Sequence, residues 1–130
     1  MTNLYLREPD FEAEIAILTE EQGGRKMPPF NYIRWDFGYA EDNPLEPKRN
    51  LDAQIYMIWP NFLDDDGTPI EKGIPLIGTY NARMHILVRE MMDYHRKRIL
   101  VGLKFNCHEG ARIVARGVVT KLRAISPDAS

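Results

Sequence analysis

Phe11-Glu12-Ala13-Glu14-Ile15-Ala16-Ile17-Leu18 is the stretch on which the fold turns. Apolar side chains at 11, 13, 15 and 17 recur with a period of two, which predicts a strand with one buried face. Thr19-Glu20-Glu21-Gln22-Gly23-Gly24-Arg25 stops it, and the adjacent glycines read as a turn that needs positive φ. Met27-Pro28-Pro29 then keeps the chain extended and non-helical.

Further along, Phe30, Tyr32, Trp35, Phe37 and Tyr39 place five aromatics in ten residues, a composition that favours a strand. Glu41 to Asn50, with Pro44 and Pro47, reads as an irregular loop, and Leu51 to Trp59 as another strand. Asp64-Asp65-Asp66-Gly67-Thr68-Pro69 is turn chemistry. Ile74-Pro75-Leu76-Ile77-Gly78 is a short apolar piece broken by Pro75. Residues 82–101 fit two periods. Met84, Leu87, Val88, Met91 and Met92 suit a helix, while Met84, Ile86 and Val88 suit a strand. Leu103, Phe105 and Cys107 alternate with polar residues, and Gly117 inside the run Ile113–Leu122 marks a bulge or a close backbone approach. Several short strands between Gly/Pro turns predict an all-β barrel or sandwich.

At 130 residues the chain has the size of a single domain, and 44% hydrophobic with 28% charged residues is an ordinary globular balance. This excludes a disordered or fibrous chain. The lone Cys107 excludes an internal disulfide and CxxC chemistry. The first residues lack a signal peptide's basic and apolar regions, and no apolar run reaches membrane-spanning length, so a cytoplasmic location and no membrane contact are expected. Net charge is −2 but unevenly spread: residues 1–80 carry 7 Lys/Arg against 15 Asp/Glu, and residues 81–130 carry 10 against 4. The overall sign disfavours bulk nonspecific nucleic-acid binding, while leaving room for a basic face.

Three segments together resemble the C-terminal, third domain of translation elongation factor Tu. They are Phe11–Leu18 with Glu21-Gln22-Gly23-Gly24-Arg25; Asn81-Ala82-Arg83-Met84; and Gly102-Leu103-Lys104-Phe105 followed by Glu109-Gly110-Ala111-Arg112 and Gly117-Val118-Val119-Thr120-Lys121-Leu122. The resemblance covers about residues 8–123 and is thin between 36 and 80. It implies a closed antiparallel six-stranded Greek-key barrel with an enlarged loop region around residues 40–80. It also implies a seven-residue N-terminal tail, a barrel over 8–123 and a flexible tail over 124–130. For residues 82–101 it implies strand, loop, strand. No GxxxxGK[ST] is present, so nucleotide binding and the factor's GTPase activity are not implied.

What the resemblance does imply is a binding surface. Arg25 and Lys26 match the family's tRNA-facing turn, and a charged tip held out by glycines suits phosphate contact; a solvated turn has the same text. Glu109, Gly110 and Arg112 match the family's second tRNA-facing turn, which also reads as a plain tight hairpin. Ala111 stands where the family has a second glycine. Arg96-Lys97-Arg98 is a candidate basic loop particular to this chain, or a solvated run of cations.

The remaining chemistry-bearing residues argue against catalysis. Cys107 and His108 are neighbours on a strand and point to opposite faces, so they make no nucleophile–base pair. His85, His95 and His108 lack metal spacing, and Asp64-Asp65-Asp66-Gly67 lacks the alternation of a calcium loop. Serine occurs only at 126 and 130. The expectation is a non-catalytic module without cofactor or metal, binding tRNA-type RNA or a protein of the translation machinery. The alternative is a protein–protein interaction or regulatory module that uses Phe30–Tyr39 and the acidic half. The oligomeric state is not legible.

Overall fold

The computed structural model describes residues 7–40, 57–87 and 89–126. Its strands are β1 (Phe11–Ile17), β2 (Trp35–Tyr39), β3 (Met57–Leu63), β4 (Thr79–Ile86), β5 (Lys104–Glu109) and β6 (Arg112–Leu122). They close in the order β1-β4-β3-β2-β5-β6, every neighbour antiparallel. β2, β3 and β4 form a meander and β4 returns beside β1, which is a Greek key. The barrel expected from the sequence is therefore present. Each described strand therefore has a neighbour on both sides over at least part of its length.

The alternation in β1 has the predicted consequence: Phe11, Ala13 and Ile15 are fully buried, while Glu14 faces solvent. Phe11, Phe37 and Phe105 fill the interior. The last two stack with ring centroids 4.8 Å apart, and Phe11 meets them edge-on at 6.2 and 6.0 Å. Each such ring contributes on the order of 1.5–3 kcal/mol by leaving water. Gly117 makes the stack possible. A Cβ there would lie 2.3 Å from Phe105 Cζ, so the close approach read from the sequence is that of an aromatic ring.

Pro60 sits inside β3 without harm. It is paired with Met84, whose carbonyl accepts from Asp10 N–H on the β1 side, so the missing N–H of Pro60 faces away from β4. There β3 has already parted from β2, since their pairing ends at Trp35–Ile58. The 64–78 connection folds back over this edge, with Ile70 N–H donating to Phe62 O. Asn31 clips the same region. Its amide donates to Ile70 O at 2.8 Å, and its side-chain oxygen accepts from Phe62 N–H at 2.8 Å.

Asp10 is wholly buried just before β1. Its carboxylate accepts from Ile86 N–H at 2.8 Å and from Arg89 at 2.9 Å, and Arg7 lies 3.6 Å away. Its carbonyl accepts from Arg123 and Ile125 N–H. One residue thus ties the start of β1 to the ends of β4 and β6.

Three expectations need correction. Residues 82–101 combine both periods: β4 runs to Ile86, and a 3-10 turn (Arg89–Met91) leads into the helix α1 (Met92–Arg98). The strand–loop–strand implied by the resemblance is replaced because Met92, His95 and Ile99 share one helical face that caps the barrel end, all three buried. The Arg96–Lys97–Arg98 run is consequently helical, not a loop. Finally, the chain is anchored past residue 123. Ile125 is buried and its carbonyl accepts from Arg96, so a tail beginning at 124 is overturned for residues 124 and 125. The loop read over 41–50 and the first part of the strand read over 51–59 lie outside the described residues.

Candidate nucleic-acid interface

The two turns singled out in the sequence meet at one end of the barrel. Thr19 starts the first with a capping box: its hydroxyl accepts from Gln22 N–H, and the Gln22 side chain accepts from Thr19 N–H. Gly23 follows with φ 91° and reverses the chain. Gly24 serves a different need, since a Cβ there would lie 2.5 Å from the Leu18 carbonyl oxygen. So one glycine provides the left-handed conformation and the other the close approach.

The second turn is the two-residue loop Gly110–Ala111 between Glu109 and Arg112, which face each other in register. Gly110 has φ 60°, and Ala111 is not among the positive-φ residues. This is the pattern of a type II′ hairpin, which demands glycine only at its first central position. Alanine in place of a second glycine is accommodated on those grounds.

Side chains join the turns. Arg25 Nε lies 3.3 Å from Glu109 Oε2, and Trp35 Nε1–H donates to the same oxygen at 2.9 Å. Arg112 Nη1 lies 3.5 Å from the Gly24 carbonyl oxygen. The Trp35 indole, itself buried in the core, therefore fixes the carboxylate that positions Arg25. Lys26 next to it is exposed.

From this end, where exposed Arg112 pairs in register with Glu109, a row of exposed cations continues onto the outer face of β5 and β6 with Arg116, Lys104 and Lys121. Among the described residues none of these four is in an ion pair. The carboxylate nearest in register to Lys121, Glu12, is occupied by Arg123 at 2.6 Å.

The third candidate, Arg96–Lys97–Arg98, is separate from this interface and largely engaged. Arg96 pairs with Asp93 at 3.0 Å. The Arg98 guanidinium lies 3.6 Å from the Tyr39 ring centroid and donates to Tyr94 Oη. His95 Nδ1 and Tyr39 Oη are hydrogen-bonded at 2.6 Å beneath it. Of the three only Lys97 is exposed, so the run braces the cap.

One feature escaped the sequence reading. Met27 and Ile77 are 67% and 70% exposed and flank a cleft of about 220 Å³ lined also by Leu18, Pro28 and Leu76. Nothing in the local text separates them from core residues. Ile77 lies outside the strands, beside Gly78 with φ 98°, and Met27 precedes two prolines. By contrast, of the segment Phe30–Tyr39 offered as a partner surface, Trp35, Phe37 and Tyr39 are buried and Phe30 is exposed.

The buried Cys107 thiol is pushed far above its usual range by desolvation. Burial likewise holds His85 below the ordinary histidine range, its Nε2 lying 3.3 Å from the Arg7 carbonyl oxygen. Among the described residues no cluster of His, Cys, Asp or Glu is placed to hold a metal, and no helix is long and apolar enough to cross a membrane. No protein-family model matches the chain.

Proposed function

We propose that this protein is a non-catalytic β-barrel module that binds RNA of tRNA type through the end where the Arg25–Lys26 turn and the Glu109–Arg112 hairpin meet. One observation carries the reading. The two turns, distant in sequence, are held together by the Arg25–Glu109 pair and open onto the row Arg112, Arg116, Lys104 and Lys121. Backbone recognition needs such a row of cations on a rigid support, and the negative remainder of the molecule confines binding to that face. The same two turns carry the resemblance to the elongation factor's third domain, whose tRNA contacts make an RNA duplex the natural ligand class.

A filter-binding titration with bulk tRNA at ~50 and ~200 mM salt tests it. Saturable binding that weakens at the higher salt is expected. Absence of salt-sensitive binding at micromolar protein overturns it.

A second reading is favoured by the exposed Met27 and Ile77 beside their cleft. It makes the module a binder of a protein partner in the translation machinery, and predicts that Met27→Ser/Ile77→Ser abolishes that capture while leaving tRNA binding intact.

A further inference from the structure

The outer face of β1, β6 and β5 carries a second feature beside the turns. In register, Ala16, Arg116 and Asn106 form one outward row across the three strands, and Glu14, Val118 and Lys104 form the next. These six residues line an open groove of about 540 Å³, with Thr79 and Ala40 at its rim. Neighbouring strands stand ~4.8 Å apart and diagonal side chains ~7–8 Å, so Arg116, Lys104 and Glu14 all reach a ligand lying over Val118.

The charges in the groove are two cations and one carboxylate, none in an ion pair among the described residues. Their sum is that of one positive charge, which matches a single phosphodiester. The planar Arg116 fork and the Lys104 point charge flank a phosphate well. A carboxylate beside a phosphate site is unfavourable unless the ligand offers it a donor, and a ribose 2′-hydroxyl is such a donor adjacent to a phosphodiester. Ala16 and Val118 leave a low apolar floor on which a sugar can lie.

We propose that this groove holds one ribonucleotide unit of the bound strand, its phosphodiester between Arg116 and Lys104 and its 2′-hydroxyl donated to Glu14, so that this face distinguishes RNA from DNA. The inference rests on the RNA-binding reading above and adds a discriminating residue to it.

The test is fluorescence anisotropy with a labelled RNA hairpin and a DNA hairpin of the same sequence, on wild type, Glu14→Ala, Glu14→Gln, Arg116→Ala and Lys104→Ala. Wild type favours RNA. Glu14→Ala narrows the RNA/DNA ratio by about tenfold, the worth of one hydrogen bond to a charged acceptor. Glu14→Gln keeps an acceptor oxygen and retains most of the preference. Arg116→Ala and Lys104→Ala weaken both ligands and lower the salt slope by about one each. All three positions are outward-facing, so unchanged melting temperatures check the fold. An unchanged ratio in Glu14→Ala, or unchanged affinity in Arg116→Ala and Lys104→Ala, overturns the groove. If RNA binding nevertheless falls in Arg25→Ala/Lys26→Ala, the two-turn reading survives that failure; if wild type binds no RNA, both fall.

Discussion

Arg25 Nε and Glu109 Oε2 are 3.3 Å apart, and Trp35 Nε1–H holds the same carboxylate oxygen from the core side. The pair joins two turns from opposite ends of the chain. It also restrains Arg25, because a guanidinium neutralised by a neighbour attracts phosphate less than a free one.

That relationship gives opposite signs for its two halves. Arg25→Ala lowers tRNA affinity, whereas Glu109→Gln raises it severalfold by freeing Arg25 while the amide oxygen still accepts from Trp35. Both side chains are about one-third exposed, so either change alters stability by about 1 kcal/mol or less. Paired tRNA titrations and thermal melts of the two variants check this. A fall in affinity in both variants contradicts it.

Gly117 against Phe105 is a packing prediction. A Cβ at 2.3 Å from the ring cannot be absorbed by a flexible chain end, since Phe105 is stacked on Phe37. Gly117→Ala therefore destabilises by ~1–3 kcal/mol. Phe105→Leu added to Gly117→Ala recovers part of the loss relative to the sum of the single changes, a coupling readable by urea denaturation of the four proteins.

The pH dependence follows from His85. Its folded pKa lies below the unfolded value because burial penalises the charged ring. The unfolded chain thus binds more protons as pH drops through ~6.5, and stability is lost on acidification from there toward the folded pKa. The urea midpoint should fall between pH 7.5 and 5.5 (roughly the window set by ordinary histidine titration). His85→Gln flattens that slope whatever its effect on absolute stability. An equal slope in the variant contradicts the assignment.

Cys107 is fully buried and its thiol is held protonated by desolvation. A coloured aromatic disulfide should leave it unmodified in the folded protein and react promptly in denaturant. Rapid modification under native conditions contradicts the packing.

The parts of the fold that were legible were those where local pattern and tertiary role agree. The alternation at Phe11, Ala13 and Ile15 names the core face of β1 directly, and Gly117 marks a bulge or a close approach without naming its partner, Phe105. Residues 82–101 misled because two periods are both real there: Met84 and Ile86 end a strand, and Met92, His95 and Ile99 begin a cap a few residues later. Arg98 is not legible as a brace because Tyr39 comes from β2, far away in sequence, and Tyr94 shares its face only once residues 92–98 are helical. The same reason hid the Arg25–Glu109 pair. Each turn could be found in the text, but their meeting is a property of barrel closure. Met27 and Ile77 carry core chemistry in exposed places, a distinction only the three-dimensional path makes.

The most direct test is the salt dependence of tRNA binding by wild type and by Arg25→Ala/Lys26→Ala, measured side by side. The prediction is saturable binding by wild type, weakened at least tenfold between ~50 and ~200 mM salt, with a log–log slope that falls by about one to two in the variant. Identical slopes for the two proteins, or no salt-sensitive binding by wild type at micromolar concentration, contradict it.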